Sequence, residues 1–181
     1  MQLDKDLTVI ARKEEVSYFK KRGVYTKKRR EPWMQVISTT WLDINKGDIE
    51  KANIRSRLVG RELAKVKRDD LFAGTPPLES LKAVISKCAS RQDGRRPFRL
   101  LSVDVNRAYF YAPATRPVFI QIPAEDRQPE DEGYVAQLNV SLYGTRDAAQ
   151  NLTKTYTEFL VGIGFKVGKG CACNRSEEPH V

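Results

Sequence analysis

Histidine is nearly missing from this chain and cysteine is scarce, and both shortages exclude chemistry. The single histidine, His180, stands in the C-terminal tail, so triads and proton relays built on an imidazole have no base to use. Cysteine occurs three times, at Cys88, Cys171 and Cys173. An odd number at wide spacing argues against a disulfide framework and for a reducing compartment. Cys171-x-Cys173 with His180 falls short of the four tightly paired ligands of a zinc site. No stretch approaches the roughly 20 apolar residues of a membrane span, and no signal-peptide pattern opens the chain. The expectation is an intracellular protein, cytoplasmic or nuclear, with no membrane partner. The segment from Gly164 to Gly170 has the look of a phosphate loop. Its spacing is short, however, and Gly170 stands where Ser or Thr must meet Mg²⁺.

Positive charge is what the chain has in excess. The formal net charge is +9 over 181 residues, of which 40% are hydrophobic, enough for one domain with a core. Between Arg12 and Arg30, nine Lys or Arg stand against Glu14 and Glu15, ending in Lys27-Lys28-Arg29-Arg30. Such a run suits phosphate backbones or a nuclear-localisation address, and equally a solvated, solubilising face. Nucleic-acid binding through it would weaken with salt. The sign reverses from Glu125 to Glu132, a Pro-containing stretch that reads as a solvated loop between strands.

Residues 10–22 mix Val16, Tyr18 and Phe19 with charges and read as a helix ending at Gly23. Met34 to Asp43 is rich in Val, Ile, Thr and Trp, and Ile54 to Val59 reads as its returning strand across the turn Asn45-Lys46-Gly47-Asp48. Thr75-Pro76-Pro77 signals a helix start with Thr75 as cap. Leu78, Leu81, Val84, Ile85 and Cys88 then share one face, expected to pack on a sheet. Val118, Ile120 and Ile122 alternate as in a half-buried strand, Ala136 to Leu142 reads as another, and Tyr143-Gly144 as a turn. From Ala148 a helix places Leu152, Tyr156, Phe159 and Leu160 on one face and stops at Gly162.

The most informative stretch runs from Leu100 to Phe110. An apolar run ends in one carboxylate, Asp104, and the pair Tyr109-Phe110 begins five residues later. A strand delivering an acid into a cleft, with an aromatic wall beside it, fits that pattern, and a hard carboxylate oxygen is a good Mg²⁺ ligand. The alternative is a buried strand whose Asp104 caps a short helical turn.

Val103-Asp104-Val105-x-x-Ala108-Tyr109 resembles the first catalytic motif of reverse transcriptases. Its flanks resemble copia-type retrotransposon polymerases of the long-terminal-repeat class. Ile54 to Arg61 is similar to that family's "KARLVAKG" strand, Leu71 to Leu78 to "TFAPV", and Val118 to Pro123 to "VYMxQPPG". Val135 to Gly144 is similar to "CRLKKSLYG", and Phe159 to Lys166 to "FLxxLGFK". The ordered set covers roughly residues 10–170. The resemblance implies an α+β fold, the fingers and partial palm of an incomplete right-hand polymerase. Its layout would be a basic N-terminal segment (1–30), a partial reverse transcriptase domain (31–170) and a disordered or non-family tail (171–181).

It also implies an RNA-directed DNA polymerase with RNA template, DNA primer or RNA/DNA hybrid and dNTP as partners, and two Mg²⁺ ions as cofactors. Asp104 matches the first carboxylate and the Val105 carbonyl an accessory metal ligand. Tyr109 matches the sugar gate against a 2′-hydroxyl, and Gly144 the glycine where backbone approaches nucleotide and template. Arg57, with Arg55 in place of a Lys and Lys46 as a third candidate, matches the fingers cations that grip the triphosphate. Lys27, Lys28, Arg29 and Arg30 are the candidate nucleic-acid contacts. The "YxDD" hairpin that carries the other two carboxylates does not follow Lys166, and Asp69-Asp70 precedes Asp104 in an unsuitable context. Arg146-Asp147-Ala148-Ala149 departs from the family's Lys-Gln-Ala/Ser-Pro. One carboxylate cannot hold two Mg²⁺ ions, so the expectation is a chain inactive by itself. The alternative is a non-catalytic, basic nucleic-acid-binding relic.

Overall fold

Helix α1 (Lys5–Arg22) starts where Asp4 caps it, the Asp4 Oδ1 accepting the Leu7 N–H at 2.9 Å. It ends at Gly23, which takes the left-handed conformation at φ 68° and returns its N–H to the Lys20 and Phe19 carbonyls. The helix begins before residue 10 because a polar cap, and no apolar pattern, sets its first turn. The computed structural model describes residues 3–48, 50–62, 77–90 and 99–166.

Two sheets follow. Strands β1 (Tyr25–Arg29), β2 (Val36–Ile37), β5 (Phe119–Ile120) and β6 (Tyr134–Leu138) form the larger, in the order β1-β6-β5-β2. β1 and β5 pair antiparallel with β6, and β2 lies parallel to β5. Strands β3 (Thr39–Asn45) and β4 (Ile54–Gly60) form the expected antiparallel hairpin, in register from Thr39↔Gly60 to Asn45↔Ile54. Asn45 closes its turn, Oδ1 accepting the N–H groups of Gly47 and Asn53 at 2.9 and 2.8 Å. Helices α2 (Leu78–Ala89) and α3 (Ala148–Gly162) complete the regular elements, with a 3₁₀ turn at Ala108–Tyr111 and another at Pro129–Asp131. The mixed α and β content is compatible with a partial reverse transcriptase domain. The boundary drawn at residue 30 falls just past β1, whose partner is β6.

The main core gathers Phe19 and Val24, Leu58 of β4, Phe110, Ile120, Ala136, Leu138 and Leu142. Each large apolar side chain so buried stabilises the fold by about 1.5–3 kcal/mol. Phe19 and Phe110 meet edge-to-face at 5.2 Å, fixing α1 against the turn after Asp104. A smaller cluster of Met34, Phe119 and Val135 lies apart. The pairing of Phe119 with Gln137 and of Lys28 with Val135 puts these residues on the sheet face opposite Ile120, Ala136 and Leu138.

Three expectations are corrected. Residues 99–105 form no strand; Leu101 is 83% and Val103 72% exposed. Apolar content supplies a face to bury, but a strand also needs a neighbour to take its backbone hydrogen bonds, and none of the described residues does. The stripe of α2 is likewise not core: no α2 residue is buried, and Leu78, Leu81, Val84 and Ile85 are exposed. That helix begins after Pro77, in the cap position, while Thr75 lies outside the described residues. Finally, the acidic loop is not wholly solvated. Asp126 is 1% exposed, because Lys20 at 2.6 Å, Lys27 at 3.4 Å and the Tyr25 hydroxyl at 2.6 Å converge on it. Burial works to raise the Asp126 carboxyl, but the contacts from Lys20, Tyr25 and Lys27 outweigh it and hold the group below the ordinary carboxylate range.

Candidate nucleotide site

The end of β4 is laid directly on the Tyr143-Gly144 turn. The Gly60 N–H donates to the Tyr143 carbonyl at 2.7 Å, and Gly144 turns at φ 78°. A methyl on Gly144 would overlap the Gly60 carbonyl oxygen and Val59 Cγ1. Only glycine fits both the left-handed backbone and the contact. Glu62 secures the junction: its carboxylate accepts from the Arg146 N–H at 2.8 Å and pairs with Arg116 at 2.7 Å, which in turn pairs with Asp147 at 3.0 Å.

Side chains converge beside this turn. Arg57 lies over the Tyr143 ring at 5.5 Å, and Tyr143 meets Tyr109 edge-to-face at 4.7 Å and Phe110 at 5.8 Å. Arg55 donates to the Asn106 side-chain oxygen at 3.1 Å. Burial pushes the Tyr143 phenol above its ordinary value, while the charges of Arg57 and Arg55 pull it down. Two arginines, two tyrosines and a glycine turn thus share one corner, with Asp104 and Val105 exposed just before Asn106. Planar guanidinium forks with an aromatic wall suit a phosphorylated, ring-bearing ligand.

The turn that carries Tyr109 is anchored by a pair the sequence did not announce. Arg107, at φ 52°, donates to the Glu15 carboxylate at 2.9 and 2.6 Å and stacks on Tyr18 at 4.2 Å. Glu15 is 3% exposed. A Glu in a charged helix gave no signal of burial; the one available hint was an Arg between Asp104 and Tyr109 that needs a counter-charge. Other candidates stand elsewhere. Lys46 is exposed at the hairpin turn, its backbone N–H bonded to the Asn53 carbonyl. Lys27 is occupied by Asp131 at 2.6 Å and by Asp126, while Lys28, Arg29 and Arg30 are exposed. Asp69 and Asp70 lie outside the described residues.

Residues 23–172 match the model of the reverse transcriptase (RNA-dependent DNA polymerase) family. The chain belongs to that family. No curated protein and no solved structure gives a significant match. Reverse transcriptases use divalent metal, and the donor set here can be weighed against that need. Among the described residues no group of three His, Cys, Asp or Glu is placed to hold a metal ion. Asp104 offers one exposed carboxylate with no second acid among the contacts of its corner. These residues alone do not fit a two-ion site. No helix among the described residues is long and apolar enough to cross a membrane.

Proposed function

We propose that these residues are the fingers and first part of the palm of a copia-type retrotransposon reverse transcriptase. In this reading Arg57 and Arg55 receive the triphosphate of a dNTP. Tyr109 packs against its sugar, and Gly144 lets backbone and base approach. Asp104 and the Val105 carbonyl stand at the metal side, with RNA template and DNA primer completing the complex. The observation that carries the reading is the convergence of Arg57, Tyr143 and Tyr109 on the Gly144 turn, with Arg55 bonded to Asn106, the residue after Val105. The chain's own contribution is to bind and orient: the guanidinium forks neutralise phosphate oxygens, and the Tyr109–Tyr143 edge contact holds the sugar wall in place. With one carboxylate present, we propose that the 181 residues alone transfer no nucleotide.

The test is a pair of measurements on the purified chain. Primer extension on an RNA template with Mg²⁺ is expected to yield no product; extension abolished by Asp104→Asn would refute the claim of inactivity. Equilibrium binding of dNTP is expected to weaken about tenfold or more in Arg57→Ala, the loss of one charge-assisted contact. Binding unchanged in both Arg57→Ala and Arg55→Ala would overturn the site assignment.

A further inference from the structure

The second face of the larger sheet carries a groove that the dNTP reading does not use. It encloses about 460 Å³ and is lined by Lys28, Arg29, Trp33, Phe119, Tyr134 and Gln137, among others. Trp33 is 62% exposed, yet its ring is not free. It stands edge-to-face on buried Phe119 at 5.5 Å and 82°, and its indole N–H donates to the Glu31 carboxylate. One end of the ring is packed, the other hydrogen-bonded, and a face is left to solvent. Ordering that side chain on binding therefore costs little. Tyr134 and Arg29, paired with each other and one residue out of step with Lys28 and Val135, belong by register to the opposite face, although both also line the groove.

Charge complements the rings. Lys28 and Arg29 make no ion pair among the described residues, while Glu31 is engaged by the indole and Asp131 by Lys27. A rigid aromatic platform flanked by unneutralised cations is the arrangement that holds single strands. Bases stack on the rings, and the backbone tracks the positive charge. An acidic peptide would use the cations but leave the rings idle.

We propose that this groove is a single-stranded nucleic-acid site, with Trp33 as stacking platform and Lys28 and Arg29 on phosphates. It is separated from the Arg57–Tyr143 corner by the main core, since Phe119 and Val135 face the groove while Ile120 and Ala136 face Phe110 and Tyr143. The inference rests on the chain being one that handles nucleic acid.

Trp33 and Trp41 are the two tryptophans of the chain, so intrinsic fluorescence reports the site. Titration of the full chain with an oligothymidine of about ten nucleotides is expected to quench tryptophan emission. Trp33→Ala is expected to remove the quench and weaken binding measured by anisotropy roughly five- to a hundredfold, the worth of one stacked base, whereas Trp33→Phe is expected to remove the quench and keep most of the affinity. Lys28→Ala/Arg29→Ala is expected to flatten the log affinity–log salt slope by about 1.4, two single-strand phosphates. Affinity unchanged in Trp33→Ala and slope unchanged in Lys28→Ala/Arg29→Ala would overturn the proposal. Equal quenching by a polyglutamate peptide would overturn it in favour of an acidic-protein surface. Arg57→Ala is expected to leave the oligonucleotide titration unchanged. Loss of dNTP binding with retained quenching, or the converse, thus separates failure of this site from failure of the polymerase reading.

Discussion

Arg107 adopts a positive φ that, among the described residues, every other holder occupies as glycine. A left-handed arginine is strained by about 1 kcal/mol, and its pair with nearly buried Glu15 holds it there. Removing the guanidinium leaves a carboxylate without its counter-charge in a site only 4% exposed. Arg107→Ala is expected to cost about 2–3 kcal/mol, less than the loss of a fully buried pair because Arg107 is itself 30% exposed. Arg107→Gly should be milder by about 1 kcal/mol, since glycine releases the backbone strain. Urea unfolding of the two variants checks the order. At Gly144 the logic reverses: Gly144→Ala meets both a positive φ and the Gly60 carbonyl. An equilibrium loss of about 2 kcal/mol or more is expected from the same measurement.

At the scale of elements, the buried Asp126 ties α1 to β1 and to the loop before β6. Its carboxyl lies below the unfolded value of about 3.9, so the native state holds the proton less tightly than the unfolded chain. The resulting stability is present above that value and is lost as pH falls through the folded pKa. Melting temperature is expected to drop below about pH 4 with a slope that Asp126→Asn diminishes. The β3–β4 hairpin was legible because Asn45-Lys46-Gly47-Asp48 and the β-branched runs point the same way. Helix α3 was legible because its apolar spacing has one period. The fate of Asp126 was not, because partners 101 and 99 residues away in sequence bury it. No local pattern records such contacts. The 99–105 segment misled for the converse reason: its composition is that of a strand, and strand formation depends on a neighbour.

For the molecule as a whole, the apolar faces of α2 and of the 99–105 segment are exposed together with Phe159 and Phe165. Exposed apolar surface on a folded chain attracts dyes and partners. The purified chain is expected to bind an anilinonaphthalene sulfonate dye in its native state. Leu81→Lys/Ile85→Lys is expected to reduce that binding with a change in stability within about 0.5 kcal/mol, as for surface positions. An unchanged dye signal would place the apolar surface elsewhere. The candidate site was legible in its parts, Asp104, Tyr109, Arg57 and Gly144, through their resemblance to an ordered family pattern. Its assembly was not, since Tyr143 as the ring joining Arg57 to Tyr109 and Glu15 as the anchor of Arg107 are facts of three dimensions.

Helix α1 precedes residue 23, where the family match begins, yet it contributes buried Val16, Phe19 and Glu15. The boundary of the family match is therefore not the boundary of the folding unit. A chain trimmed to the matched residues would expose Phe110, strip Arg107 of its counter-charge and leave Asp126 without Lys20. Its failure to fold would say nothing about the polymerase residues themselves. A helix outside the matched residues supplies the contacts that hold them together.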